Sequence, residues 1–261
     1  MKPYFVKTSG CDTCEPLVVL HGWGMNSAVW ESVRPELESR YHVSWIDLPG
    51  HGKNQHIVAN GMDEIVDHIL PHIPNGAHLL GWSLGGLVIQ AIAEKLSKTA
   101  PEKVKSMTLV ASTPKFSQAD DWHHAMSEEV LNTFSKNLNQ DIKGTLKRFV
   151  ALQFMGIKDS KPIQRELINT LEKWGGVLPE ALNIGLELLK HSDFRLLNSD
   201  IPRHWILAER DKLIPKEVIN DLKSLRPDDQ ITLLENAGHA PFMTHPKAFI
   251  ESVTSFIESH T

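Results

Sequence analysis

Gly81-Trp82-Ser83-Leu84-Gly85-Gly86 stands between an apolar run, residues 77–80, and an amphipathic stretch over residues 84–96. An uninterrupted apolar run followed by helical periodicity predicts a strand feeding directly into a helix, with Ser83 on the turn between them. A turn that tight leaves little room beside residue 83. Gly81 and Gly85, two positions either side, remove Cβ atoms that would clash, and Gly86 lets the helix lie close on the sheet. The serine hydroxyl is then presented at a helix N-terminus, where peptide dipoles favour developing negative charge. A bare G-x-S-x-G is common by chance; the strand and helix around it give this one its weight.

The same pattern of apolar run and amphipathic stretch repeats outward from the turn. Residues 16–20, 41–46, 104–110, 204–208 and 230–234 read as further strands, and 28–39, 62–73, 216–225 and 246–258 as helices. Near-continuous apolar strands alternating with helices predict an α/β fold, with a mostly parallel central sheet flanked by helices. From about residue 113 to 197 no strand interrupts a series of helical patterns at 127–138, 141–155, 162–174 and 179–190. The expected organisation is therefore a core of residues 1–112 and 198–261 with an all-helical lid, 113–197, inserted at the C-terminal edge of the strands, where such sheets bind ligands. A packing subdomain remote from any site is the alternative.

A net charge of −5 in 261 residues argues against nucleic-acid binding by the whole molecule. The N-terminus, Met1-Lys2-Pro3-Tyr4-Phe5-Val6-Lys7, lacks the apolar core of a signal peptide, and the longest uncharged stretch, 77–93, is too short to span a bilayer untilted. A cytoplasmic protein without membrane contact is expected. The two cysteines, Cys11 and Cys14, form a C-x-x-C in a polar turn before the strand at 16–20. Redox pairs of this spacing open a helix and structural zinc needs a second pair, so a reduced turn between two N-terminal strands is expected.

If Ser83 is a nucleophile, it needs a base, an acid to orient the base, and donors for an oxyanion. Each can be sought at a strand end. Among 14 histidines, His239 lies directly after the last strand, in Asn236-Ala237-Gly238-His239-Ala240-Pro241-Phe242. His204 starts a strand, at the wrong edge, and His123, His124, His191 and His245 read as surface residues. Asp211 follows the strand at 204–208 and is the acid candidate, with Glu209 a rival nearer the strand. The order Ser, Asp, His along the chain is the one expected for this fold. Oxyanion donors are expected in the main-chain N–H groups of Leu84 and of Trp23, the latter in His21-Gly22-Trp23-Gly24 after the strand at 16–20. His21 reads as a structural hydrogen-bonding residue. Asp47-Leu48-Pro49-Gly50-His51-Gly52 closes another strand and shapes the same rim. No metal and no cofactor is called for.

With these residues assembled, the chain resembles the α/β-hydrolase superfamily over nearly its whole length. Within it, the resemblance is to the pimeloyl-[acyl-carrier protein] methyl ester esterases of biotin synthesis. It rests on Leu20-His21-Gly22-Trp23-Gly24-Met25-Asn26, Leu80-Gly81-Trp82-Ser83-Leu84-Gly85-Gly86, Arg148-Phe149-Val150-Ala151-Leu152-Gln153-Phe154-Met155-Gly156, Gly185-Leu186-Glu187-Leu188-Leu189-Lys190 and Gly238-His239-Ala240-Pro241-Phe242. The resemblance implies a nucleophile at Ser83, acid at Asp211, base at His239, oxyanion amides at Trp23 and Leu84, and substrate contacts at Trp23, Ser83, Phe149 and His239. It also implies a substrate carried on acyl carrier protein, cut to a free carboxylate and methanol. Lys53-Asn54, Ala208 and the Cys11/Cys14 turn depart from the family pattern without touching this chemistry. A monomer is expected.

Trp23, Trp82, Phe149, Phe154, Met155 and Phe242 could line an apolar slot for an acyl chain. Between Lys136 and Arg165 seven basic residues face two acids, an excess of +5 in a protein of net −5. Lys143, Lys147, Arg148, Lys161 and Arg165 are the candidate docking residues for an acidic carrier, a solvated helix face being the plainer reading. Rival functions are a general short-chain carboxylesterase or C–C bond hydrolase with the same triad, and a binding module that kept the fold without turnover.

Overall fold

The computed structural model describes residues 3–261; the reading of the N-terminus begins at Met1 and Lys2, which lie outside the described residues. Among the described residues the strands are β1 (Val6–Gly10), β2 (Pro16–Leu20), β3 (His42–Ile46), β4 (Ala77–Trp82), β5 (Val104–Val110), β6 (Arg203–Ala208) and β7 (Gln230–Leu234). They form one sheet in the order β1-β3-β2-β4-β5-β6-β7. Only β1 runs antiparallel, against β3; every other pairing is parallel. Every residue of β4 and of β6 is buried, as expected where helices cover both faces of a parallel sheet.

The helices are α1 (Arg34–Glu38), α2 (Met62–Ile69), α3 (Leu84–Thr99), α4 (Glu128–Gln140), α5 (Ile142–Gln153), α6 (Lys161–Trp174), α7 (Pro179–His191), α8 (Val218–Leu225), α9 (Pro241–Thr244) and α10 (Pro246–Glu258). Helices α4 to α7 follow one another between β5 and β6, which are neighbours in the sheet. Two caps start this block cleanly: Ser127 accepts from the Val130 N–H before α4, and Asp141 accepts from the Gly144 N–H before α5. Among the described residues no helix is long and apolar enough to cross a membrane.

Two expectations are corrected. Residues 28–39 are not one helix but a 3-10 turn, Ser27–Trp30, and the short α1, because Pro35 cannot supply the N–H that a continuous helix needs. Cys11 and Cys14 are not a reduced pair: they form a disulfide. The Cys14 N–H donates to the Cys11 carbonyl, closing a turn that brings the two Cα atoms within 5.3 Å, a separation a bridge can span. The bridge lies before β2, at the sheet edge opposite Ser83.

Candidate active site

Ser83 sits between β4 and α3 with φ 54° and ψ −117°, a backbone state that costs a non-glycine residue on the order of 1–3 kcal/mol. Its neighbours hold it there. The Ser83 N–H donates to the Val110 carbonyl at 2.9 Å, and its own carbonyl accepts from the Ser112 hydroxyl at 3.0 Å and the Gly86 N–H at 2.9 Å. The flanking glycines are required by close approach: a Cβ on Gly81 would lie 2.4 Å from the Gly85 carbonyl oxygen, and one on Gly85 2.6 Å from that of His21. The strain thus serves to aim one hydroxyl.

That hydroxyl meets His239. Ser83 Oγ lies 3.0 Å from His239 Nε2, and His239 Nδ1 lies 2.7 Å from Asp211 Oδ2. With Nδ1–H donating to the carboxylate, Nε2 is left free to accept the serine proton. The other carboxylate oxygen, Oδ1, accepts from the Leu213 and Ile214 N–H groups at 2.8 and 3.1 Å, which fixes the acid's orientation. All three residues are buried. Glu209, the rival acid, turns away to accept from the Asn236 N–H and pair with Lys216. The His239 loop is propped from two sides: Trp82 Nε1 donates to the His239 carbonyl at 2.7 Å, and the His239 N–H donates to the Gln153 carbonyl at 3.1 Å.

The loop at residues 21–24 lies against the nucleophile, since a Cβ on Gly22 would be 3.2 Å from Ser83 Cβ. Leu84 is the first residue of α3, so its N–H has no partner within the helix. These two amides are the ones the sequence singles out for an oxyanion. His21 is committed elsewhere: Nδ1 donates to the Gly22 carbonyl and Nε2 accepts from the Leu48 N–H, and burial lowers its pKa. Asp47 organises the neighbouring rim, accepting from the Ser27 and Lys53 N–H groups and from Trp174 Nε1.

Ser83 opens into an apolar slot beneath the helical block, lined by Trp23, Phe149, Phe134, Leu131, Leu186 and Leu213 among others. The slot holds only about 10 Å³ of free space, room for at most one water. The helices close tightly: a Cβ on Gly185 in α7 would lie 2.6 Å from the Trp23 ring, whose Nε1 donates to the Leu182 carbonyl. Of the expected lining residues, Trp23 and Phe149 are there. Met155 is not: α5 stops at Gln153, and the turn after it leaves Met155 half exposed. Trp82 and Phe242 pack beneath the histidine loop with Trp30, and Phe154 is core. Sequence reading missed Leu131 and Phe134 on α4 and Leu186 and Leu189 on α7; their i, i+3 spacing marks an apolar face, but not the cavity it covers. It also missed Gln153, whose side-chain amide is buried without a hydrogen-bond partner among the described residues.

The basic residues divide. Lys147, Lys161 and Arg165 line one surface hollow on α5 and α6. Lys143 pairs with Glu172 at 3.9 Å at the rim of an adjoining groove, whereas Arg148 bonds the Thr145 hydroxyl and is not among the residues of that hollow.

Burial holds three other imidazoles neutral, with pKa values pushed down to about 3 for His51 and about 4 for His78 and His204. The unfolded chain takes up these protons near the ordinary value of about 6.5, so their contribution to stability is complete above that pH. It is lost as the pH falls toward the folded values. Thermal melts should therefore show Tm falling by roughly 10 °C between pH 7 and pH 5. A flat profile over that range would contradict the neutral assignment.

The profile of the alpha/beta hydrolase fold family matches residues 15–246. The pimeloyl-[acyl-carrier protein] methyl ester esterase of Photobacterium profundum is 38% identical over 250 residues, covering 93% of this chain and 94% of that protein. The protein of that name from Salmonella newport is 35% identical and covers 99% of this chain and 100% of its own length. Among solved structures, an esterase from Exiguobacterium antarcticum aligns with a TM-score of 0.85 at 20% identity over 97% of this chain and 95% of its own, a likeness of fold. A strained serine between strand and helix, a mostly parallel sheet and relatives matching over nearly the full length agree: this chain belongs to the α/β hydrolase family.

Proposed function

We propose that the chain is a serine carboxylesterase that hydrolyses pimeloyl-[acyl-carrier protein] methyl ester to pimeloyl-[acyl-carrier protein] and methanol, in the cytoplasmic synthesis of biotin. The observation that carries the chemistry is the continuous hydrogen-bonded chain from Ser83 through His239 to Asp211. The names of relatives matching at full length support the substrate. His239 Nε2 takes the Ser83 proton as Oγ attacks the distal ester carbonyl; the Trp23 and Leu84 amides receive the oxyanion. Collapse expels methoxide, which leaves as methanol with the proton from His239. Water, deprotonated by the same imidazole, then releases the carboxylate. Residues 113–197 serve as the lid: its side chains fill the slot, so an acyl chain enters only when they move aside. Lys147, Lys161 and Arg165, with Lys143 and Arg148 nearby, present the cationic face to the carrier.

Methanol release from carrier-bound pimeloyl methyl ester and from a free methyl ester tests this directly. At low salt the carrier-bound ester should be preferred at least about tenfold in kcat/KM, and the preference should shrink with added salt as charge is screened. Lys161→Glu combined with Arg165→Glu should remove most of it. Equal, salt-independent rates would favour a general short-chain esterase, and no methanol from either ester would end the enzymatic reading.

A further inference from the structure

We propose that Arg210 is a positioning residue for the hydrolysis: its side chain ties the acid's loop, the base's loop and the end of α5 together, so that His239 is held on Asp211 when the helical block is seated. The inference rests on the triad reading above and adds a residue outside it.

The acid and the base come from separate loops, after β6 and after β7, and one 2.7 Å contact between side-chain tips cannot fix the loops that carry them. Hydrogen bonds to the main chain join the two loops first. The Arg210 N–H donates to the Ala237 carbonyl at 2.8 Å, and the Asn236 N–H donates to the Glu209 carboxylate at 2.9 Å. The base loop is joined in turn to the helical block, where the His239 N–H donates to the carbonyl of Gln153, the last residue of α5. Gly238 packs so close to that carbonyl that a Cβ there would lie 2.6 Å from its oxygen.

The Arg210 guanidinium closes the remaining side of this triangle. One terminal nitrogen donates to the Gly156 carbonyl at 3.1 Å, in the turn after α5, and the other to the Asn236 side-chain oxygen. A planar fork with donors at fixed separation suits two acceptors on different segments. Both acceptors belong to residues in the left-handed region, with φ 79° at Gly156 and 59° at Asn236, a conformation that glycine and asparagine adopt most readily. The space beside Gly156 is open, so glycine is there for its backbone and not for room. Arg210 directly precedes Asp211, and Asn236 stands three residues before His239. A single side chain therefore touches the supports of the acid, the base and the helices above them.

Arg210 is exposed, and links of this kind contribute little to stability. Reaction rate is more sensitive, since a misplacement of about 1 Å at the reacting atoms costs on the order of 10²-fold. The two effects separate. Loss of the fork should slow the chemical step while leaving the melt unchanged.

Arg210→Met keeps the aliphatic stem and removes both donors; Asn236→Gly keeps the left-handed backbone and removes one acceptor. Labelling of Ser83 by a fluorophosphonate and hydrolysis of dimethyl pimelate should be followed in both variants and in their combination. In Arg210→Met the labelling rate and kcat are expected to fall about tenfold, with KM within about twofold and Tm within about 3 °C of wild type. Asn236→Gly should lose less, about threefold, and the double variant should be no slower than Arg210→Met alone, because the two share one contact. Labelling of Arg210→Met at the wild-type rate would overturn the proposal. So would a loss confined to KM, a loss matched by a fall in Tm, or additive losses in the double variant, each of which assigns Arg210 to something other than alignment of the triad. These outcomes leave the triad reading intact; that reading fails if Ser83 of the wild-type protein takes no label.

Discussion

Ser83→Ala is expected to fold and melt like the wild type while losing turnover by about 10⁴- to 10⁶-fold, the scale seen when a triad nucleophile is removed. The strained backbone at residue 83 is held by main-chain and Ser112 hydrogen bonds that alanine keeps. Among the described residues the hydroxyl itself bonds only to His239, so its removal subtracts chemistry and little else. Methanol release and circular dichroism on one preparation check both halves. A variant retaining a tenth of wild-type activity would refute the assignment of the nucleophile.

Asp211→Asn should be nearly as damaging, about 10³- to 10⁴-fold in kcat, for a reason visible in its hydrogen bonds. Oδ1 is claimed by the Leu213 and Ile214 N–H groups and Oδ2 by His239. An asparagine keeps its single oxygen on the two amides and turns its NH₂ toward the imidazole. Two donors then face one another unless His239 switches tautomer, placing its proton on Nε2, where it can no longer accept from Ser83. KM should change little. A loss below tenfold would mean that Asp211 does not orient the base.

Much of this was readable from the chain because each element of the triad follows an apolar run. Ser83, Asp211 and His239 come after β4, β6 and β7, and parallel strands bring their C-terminal ends to one edge. What the sequence concealed depends on side-chain direction. Lys147 and Arg148 are neighbours in the chain but about 100° apart around a helix, so only the former joins the hollow with Lys161 and Arg165. Helical periodicity ran through to Met155, yet the helix ended at Gln153 and the last two residues went into a turn. The slot could not be foreseen either, since its walls come from α4, α5 and α7 packed on the Trp23 loop. A C-x-x-C on a tight turn gives no local sign of whether it is bridged; the fold brought the pair together.

The account turns on whether the hydroxyl at residue 83 becomes nucleophilic through the imidazole at residue 239. The most direct measurement is peptide mapping by mass spectrometry after treatment with a fluorophosphonate, which modifies only activated serines. The expected result is one label per chain, on the peptide containing Ser83, abolished by His239→Ala in a protein that still folds. An unlabelled Ser83 in the wild-type protein, or labelling that survives loss of His239, would contradict it.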